Sequence, residues 1–150
     1  MRIAISGTAC QGKTTLITDF LEQWPNYKTP KKTYRDIIKD NNLDHSSKTN
    51  KKTQKNILDF MIKEQKKYRS SDNVIFDRCP LDNLVYSMWA TEQSDLDIDD
   101  KFVQECIPLV RESLSSLDII FFTPITKVSP VELTEDDLRD TDPKVIEEVD

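Results

Sequence analysis

The chain has 150 residues, 37% of them apolar and 32% charged, with a formal net charge of −6 at pH 7. That length suits one domain, residues 1–150, with a core of its own, and no apolar run is long enough to span a bilayer. Three scattered cysteines, Cys10, Cys79 and Cys106, lack paired metal-ligand spacing. They argue against a disulfide framework and for a reducing, cytoplasmic setting, and no signal or transit peptide precedes the first strand pattern.

Ile3-Ala4-Ile5 predicts a short buried strand. Next comes Gly7-Thr8-Ala9-Cys10-Gln11-Gly12-Lys13-Thr14, which contains both glycines of the chain. It is the G-x-x-x-x-G-K-[ST] pattern of a phosphate-cradling P-loop, in the strand–loop–helix order that this motif requires. The glycines permit a loop whose N–H groups converge on phosphate oxygens with no Cβ in the way. The following helix adds unpaired N–H groups and a dipole that favours an anion. ATP is therefore expected at Gly7, Thr8, Ala9, Cys10, Gln11, Gly12, Lys13, Thr14 and Thr15. Lys13 would reach the β- and γ-phosphates, and the Thr14 hydroxyl would bind Mg²⁺. The plainer account, a β–α turn that happens to hold two glycines, sets the Lys13 cation against the helix dipole with nothing to offset it. Cys10 sits where a helix N-terminus can depress a thiol pKa, though a small residue filling a loop position is the favoured reading.

Leu16, Ile17, Phe20, Leu21 and Trp24 fall on one face of a helix over residues 13–24, stopped by Pro25. Residues 27–29 could add an edge strand, 33–40 form a short helix, and 41–50 form a polar loop that contains His45, the one histidine, to which no role is given. A longer helix spans 53–69 with Ile57, Leu58, Met61 and Gln65 on one side. Residues 28–69 carry 13 Lys/Arg against 5 Asp/Glu. Without interleaved aromatic residues this stretch reads as solvated helix faces, and nucleic acid is not expected as a partner. Residues 73–77 predict a second strand, and Leu81, Leu84, Val85, Met88 and Trp89 then make an amphipathic stripe. An acidic loop over 91–100 precedes a helix face of Val103, Cys106, Ile107, Val110 and Leu114, kinked or divided at Pro108. Residues 117–122 predict the third strand, closed by Pro124. Residues 125–150 are weakly patterned, a lid or tail; within them 132–150 hold 9 acidic residues against 2 basic.

Strands alternating with helices predict an α/β, three-layer fold, a parallel sheet with helices on both faces. Ligands on such sheets sit at the carboxyl ends of the strands, where both the P-loop and Asp77 fall. The single P-loop leaves several NTPase classes out. No glycine outside the loop can supply a D-x-x-G switch or a glycine-containing signature, Asn50-Lys51-Lys52-Thr53 does not complete a guanine-reading motif, and the second strand ends in Asp77-Arg78 rather than Asp-Glu.

Gly7 to Thr14, Thr33-Tyr34-Arg35-Asp36 and Asp77-Arg78-Cys79-Pro80-Leu81-Asp82-Asn83 together resemble the AAA-type P-loop domain of ribosylnicotinamide kinases and many phage proteins, and more distantly thymidylate and deoxynucleoside kinases. The resemblance covers roughly residues 1–142 and implies a kinase that moves the ATP γ-phosphate to a nucleoside or nucleotide with Mg²⁺. It implies that Asp77 is a metal-shell ligand or general base, that Arg78 and Arg35 hold the acceptor, and that Arg139 resembles the lid arginine that closes on the transferring group. Asp36 and Asp82 would contact substrate. From the residues alone, Asp77 and Asp82 could also cap a helix, Arg35 could pair with Asp36, and Arg139 could be a solvated residue of the acidic tail. Two features depart from the family. Lys31 and Lys32 stand where an acidic residue is usual before Tyr-x-Arg, and the chain ends at Val149-Asp150, before the further helix and strand these kinases carry. The second feature leads to the expectation that the chain is either truncated or completed by another polypeptide. The alternatives are an ATP-binding regulatory module that transfers nothing efficiently, and a kinase of nucleic-acid 5′ ends. Oligomeric state is not readable.

Overall fold

The computed structural model describes residues 1–45, 48–126 and 142–150. In chain order the elements are β1 (Arg2–Ser6), α1 (Lys13–Gln23), α2 (Tyr34–Asn41), α3 (Lys51–Gln65), β2 (Val74–Asp77), α4 (Pro80–Thr91), α5 (Asp100–Leu114), β3 (Ile119–Phe122) and α6 (Pro143–Val149). The three strands form one parallel sheet in the order β2-β1-β3. The register pairs Ile3 with Ile75 and Ile119, and Ala4 with Phe76 and Ile120. Parallel pairing of this kind needs helical crossovers, which α1 to α5 supply. The edge strand expected at 27–29 is reduced to one parallel bridge, Lys28 to Val74, on the outer side of β2.

The period-2 alternation of the strands divides the core between two faces. Ile3, Ile5 and Ile75 point to one face and are covered by Ile17, Phe20 and Leu21 of α1. Ala4, Val74 and Phe76 point to the other and meet Tyr68, Leu81 of α4 and Leu114 of α5. Behind that second face, Leu58, Leu84, Val103, Cys106 and Val110 lock α3, α4 and α5 together, and Ile38 joins α2 to Ile57 and Met61 of α3. The arrangement is the expected three-layer α/β fold.

Three local expectations change. α5 runs unbroken through Pro108, so the proline does not divide it; packing of Val103, Cys106 and Val110 on both sides of the proline offsets the lost backbone bond. Met88 lies on the α4 stripe but is exposed, while Leu84 and Trp89 are buried. The acidic C-terminal stretch contains a helix: Val145 and Val149 of α6 pack against Trp89, Ala90 and Ile98, and the Trp89 indole N–H donates to Glu148 at 2.9 Å. β3 lies at the sheet edge, with Ile119, Phe121 and Phe122 all exposed.

Candidate active site

The P-loop joins β1 to α1 at the carboxyl end of the sheet. Gly7 (φ 134°), Cys10 (φ 59°) and Gly12 (φ 70°) all adopt left-handed backbone, which turns the loop tightly enough to bring its N–H groups inward. Gly12 is the N-cap of α1 and supplies no side-chain bond, and the first turn of α1 holds no acidic residue of its own, which leaves its backbone N–H groups without a side-chain cap from the helix. Gly7 has a second requirement. A Cβ there would stand 2.5 Å from the Thr123 carbonyl oxygen and 2.6 Å from its hydroxyl, just beyond β3. Thr123 is itself fixed to the Ser6 carbonyl by its N–H at 2.9 Å and its hydroxyl at 3.0 Å.

The entry to the loop is latched from α4. Asp82 is buried; its Oδ1 accepts from the Gly7 N–H at 3.0 Å and from Arg78 Nη1 at 3.1 Å, and its Oδ2 accepts from the Cys79 N–H at 2.9 Å. Arg78 Nη1 also donates to the Gly7 carbonyl at 2.8 Å, so this one ion pair grips both polar groups of Gly7. The Arg78 guanidinium lies 5.6 Å from the Tyr34 ring and 5.4 Å from the Tyr86 ring, between α2 and α4. Its backbone is left-handed (φ 73°), a conformation that costs about 1–3 kcal/mol and persists only where neighbours hold it. Cys79, beside it, is buried, and burial pushes its thiol up to about 12, which leaves it unreactive.

Lys13 is buried, and its ammonium donates to the Thr8 carbonyl across the loop. Its pKa is lowered to about 7, first by burial and then by the Arg78 charge, with Asp82 and Asp77 pulling the other way. Thr14 lies in the first turn of α1, and its hydroxyl donates to Asp77 Oδ2 at 3.2 Å, at the end of β2. Asp77 Oδ1 is buried and has no partner among the described residues. An orphaned carboxylate oxygen beside a hydroxyl fits a hard cation that takes oxygen ligands, so these residues suit Mg²⁺. Of the remaining loop residues, Gln11 donates its amide to the Ala9 carbonyl at 3.2 Å, and Thr15 is exposed.

Beside Asp77 opens a cleft between β2, α2 and α3, continuous with solvent. Tyr34, Phe60, Met61 and Phe76 give it an apolar wall, and Asp77 and Arg78 stand at the sheet end. The Arg35 guanidinium lies 5.3 Å from the Tyr34 ring, with its Nε buried and unpartnered. Asp36 Oδ2 accepts from the Thr33 N–H at 2.7 Å and hydroxyl at 3.1 Å, closing a capping box on α2. The Thr33 N–H holds its carboxyl below the usual range. Asp36, Asp82 and Arg78, expected from the sequence to hold an acceptor, are thus already engaged within the fold, each by a helix start or by the loop. Arg139 and the rest of the expected lid, residues 127–141, lie outside the described residues.

A family model described as an AAA domain matches residues 2–150. The chain belongs to this family. A comparison with curated proteins gives no match. Among solved structures, deoxyadenosine kinase from M. mycoides with dCMP and dCDP bound is similar at TM-score 0.60 and 24% identity, over 82% of this chain and 64% of that one. NadR protein in complex with NR is similar at TM-score 0.63 and 18% identity, over 83% of this chain and 34% of that one. NadR with NAD and AMP-PNP matches 99% of this chain and 39% of that one, at TM-score 0.63 and 15% identity. At these identities the likeness is one of fold, a P-loop kinase fold, and the chain spans less than two thirds of each neighbour's length. Among the described residues no helix is long and apolar enough to cross a membrane.

Several residues at the site carry no motif. Thr123 is far in sequence from the loop it touches, and Tyr86 reads only as a helix position. Asp82 left a signal: Cys79-x-x-Asp82 and Thr33-x-x-Asp36 both have the spacing of a capping box.

Proposed function

We propose that this protein is an ATP-dependent phosphotransferase whose acceptor is a nucleoside or nucleotide. The observation that carries this reading is the contact between the Thr14 hydroxyl of the P-loop and the Asp77 carboxylate, at the mouth of a cleft with an aromatic wall. A regulatory nucleotide-binding module has no need of such a cleft beside its phosphate loop.

On this reading the loop N–H groups and Lys13 hold the triphosphate, and Lys13 leaves the Thr8 carbonyl for the β- and γ-phosphate oxygens. Thr14 and Asp77 would hold Mg²⁺, which when bound neutralises phosphate charge. The acceptor hydroxyl oxygen bonds to the γ-phosphorus, the bond to the β,γ-bridging oxygen breaks, and ADP departs. Asp77 is the carboxylate placed either to take the hydroxyl proton or to serve the metal shell. Arg35, with its unpartnered Nε, is the cation free to meet an acceptor phosphate, and Arg139 is proposed to close on the transferring group.

The test is incubation with γ-labelled ATP and a panel of nucleosides, nucleotides and 5′-hydroxyl oligonucleotides. Label on a nucleoside or nucleotide is the expected result. Label only on oligonucleotides makes the protein a 5′-end kinase, and saturable ATP binding with label on no acceptor makes it a regulatory module.

A further inference from the structure

Gly7 opens the phosphate loop, and both polar groups of its backbone are held by one buried pair, Asp82 on the N–H and Arg78 on the carbonyl. The Arg78 side chain is only 5% exposed. Its bonds to Gly7 and to Asp82 both run from Nη1, and its Nε has no partner among the described residues. Two bonds from a single nitrogen leave the guanidinium plane able to swing about that nitrogen. Two rings restrain it. Tyr34 lies 5.6 Å and Tyr86 5.4 Å from the guanidinium carbon, both within the roughly 6 Å over which a ring face attracts a cation. That attraction is strongest where water is excluded, as it is around Arg78.

The rings come from two different helices. Tyr86 follows Asp82 by four residues on α4, so one helix face offers Arg78 both a carboxylate and a ring. Tyr34 is the first residue of α2, whose start is fixed by the capping box of Thr33 and Asp36. The contacts with Arg78 are made by the rings, so phenylalanine in place of either tyrosine keeps the contact and leucine loses it.

We propose that Tyr86, together with Tyr34, is a positioning residue for the phosphate loop: the two rings hold the Arg78 guanidinium, and Arg78 in turn sets the Gly7 carbonyl. Without a ring the guanidinium turns about Nη1, the Gly7 carbonyl follows, and the loop N–H groups beyond it no longer converge on one anion. A displacement of about 1 Å in a positioned site can cost about 100-fold in rate. The proposal rests on the P-loop being the triphosphate site and does not depend on phosphoryl transfer. Tyr34 also lines the cleft beside Asp77, so Tyr86 is the cleaner probe.

Affinities for ATP and for inorganic tripolyphosphate, both with Mg²⁺, are measured by calorimetry on the native protein, Tyr86→Leu, Tyr86→Phe and Val110→Ala. The last is a truncation in the core between α3, α4 and α5. Tyr86→Leu is expected to weaken both ligands by about 5-fold or more. The factor should be the same for the two, because tripolyphosphate has only phosphates to offer the loop. Tyr86→Phe is expected to keep native affinity, and Val110→Ala to lower the melting temperature while leaving both affinities alone. If Tyr86→Leu does not fold, Tyr34→Leu and Tyr34→Phe carry the same prediction. Native affinity in the leucine variant, a loss shared by phenylalanine, a loss for ATP alone, or an equal loss in Val110→Ala each overturns the proposal. Native protein that binds ATP but not tripolyphosphate overturns it as well; binding of neither removes the triphosphate reading with it.

Discussion

The phosphate end of the site and the cleft beside it are built in opposite ways. Around the P-loop the polar groups of Gly7 are bonded by Asp82 and Arg78, and Thr123 packs against its Cα. In the cleft, Gln65 and one oxygen of Asp77 keep buried polar atoms with no partner among the described residues. A loop that must offer N–H groups to phosphate has to be held by something other than those N–H groups. The α4 latch does this, so the cradle exists before a nucleotide arrives. Burying such atoms without a partner is costly, and a ligand that bonded them would recover that cost.

Four changes break or sharpen that contrast. The largest effect is expected from Asp82→Asn, which leaves the buried Arg78 charge without its carboxylate. Loss of about 3–5 kcal/mol of stability follows from stranding a buried ion, read by denaturant melts, with ATP affinity falling as the loop loosens. Next, Lys13→Ala should reduce phosphoryl transfer by about 10²–10³ while leaving stability near native, because Lys13 touches only the loop's own carbonyl; unchanged ATP affinity by calorimetry would remove Lys13 from the phosphate site. Gly7→Ala adds a methyl group against the Thr123 backbone at a left-handed position. Gly12→Ala, whose Cβ would meet nothing within 4 Å, should cost only the strain of left-handed backbone, about 1–3 kcal/mol, and Gly7→Ala, which adds the clash, should cost more.

The smallest effect is a proton. The Lys13 pKa is about 7 in the fold and 10.5 as the ordinary value. Between those values the unfolded chain holds more proton, so the contribution of Lys13 to stability rises with pH across that window and is least favourable below it. Triphosphate restores the charge, and binding at pH 8 should take up a fraction of a proton that vanishes at pH 6. Calorimetry in two buffers of different ionisation enthalpy measures it; zero uptake at pH 8 means that Lys13 stays neutral or was charged throughout.

The P-loop and the strand–helix order were legible because each rests on local chemistry: two glycines, a lysine at a helix start, period-2 and period-3.6 apolar spacing. α6 was not legible. It has seven residues, and Val145, Ile146 and Val149 sit among carboxylates whose composition reads as a tail; only contact with Trp89 and Ala90 makes that face meaningful. The role of Arg78 was hidden for a related reason. Arg78 and Asp82 read as neighbours at the start of a helix, and nothing local shows that the pair turns inward to reach a glycine 71 residues earlier in the chain. Gln65 could be placed on the buried face of its helix from spacing alone. That its amide is left unpaired depends on α2, β2 and the emptiness between them.

Asp77→Asn tests the proposed chemistry most directly, because it keeps the size and the Thr14 contact and removes only the charge. Transfer of label from ATP to the preferred acceptor and ATP affinity should be measured on both proteins. A fall in turnover of about 10² or more, with ATP affinity changed by only a few-fold, is the expected outcome. Equal turnover in native protein and variant would reduce Asp77 to the end of a strand and leave the P-loop with no carboxylate partner for phosphoryl transfer.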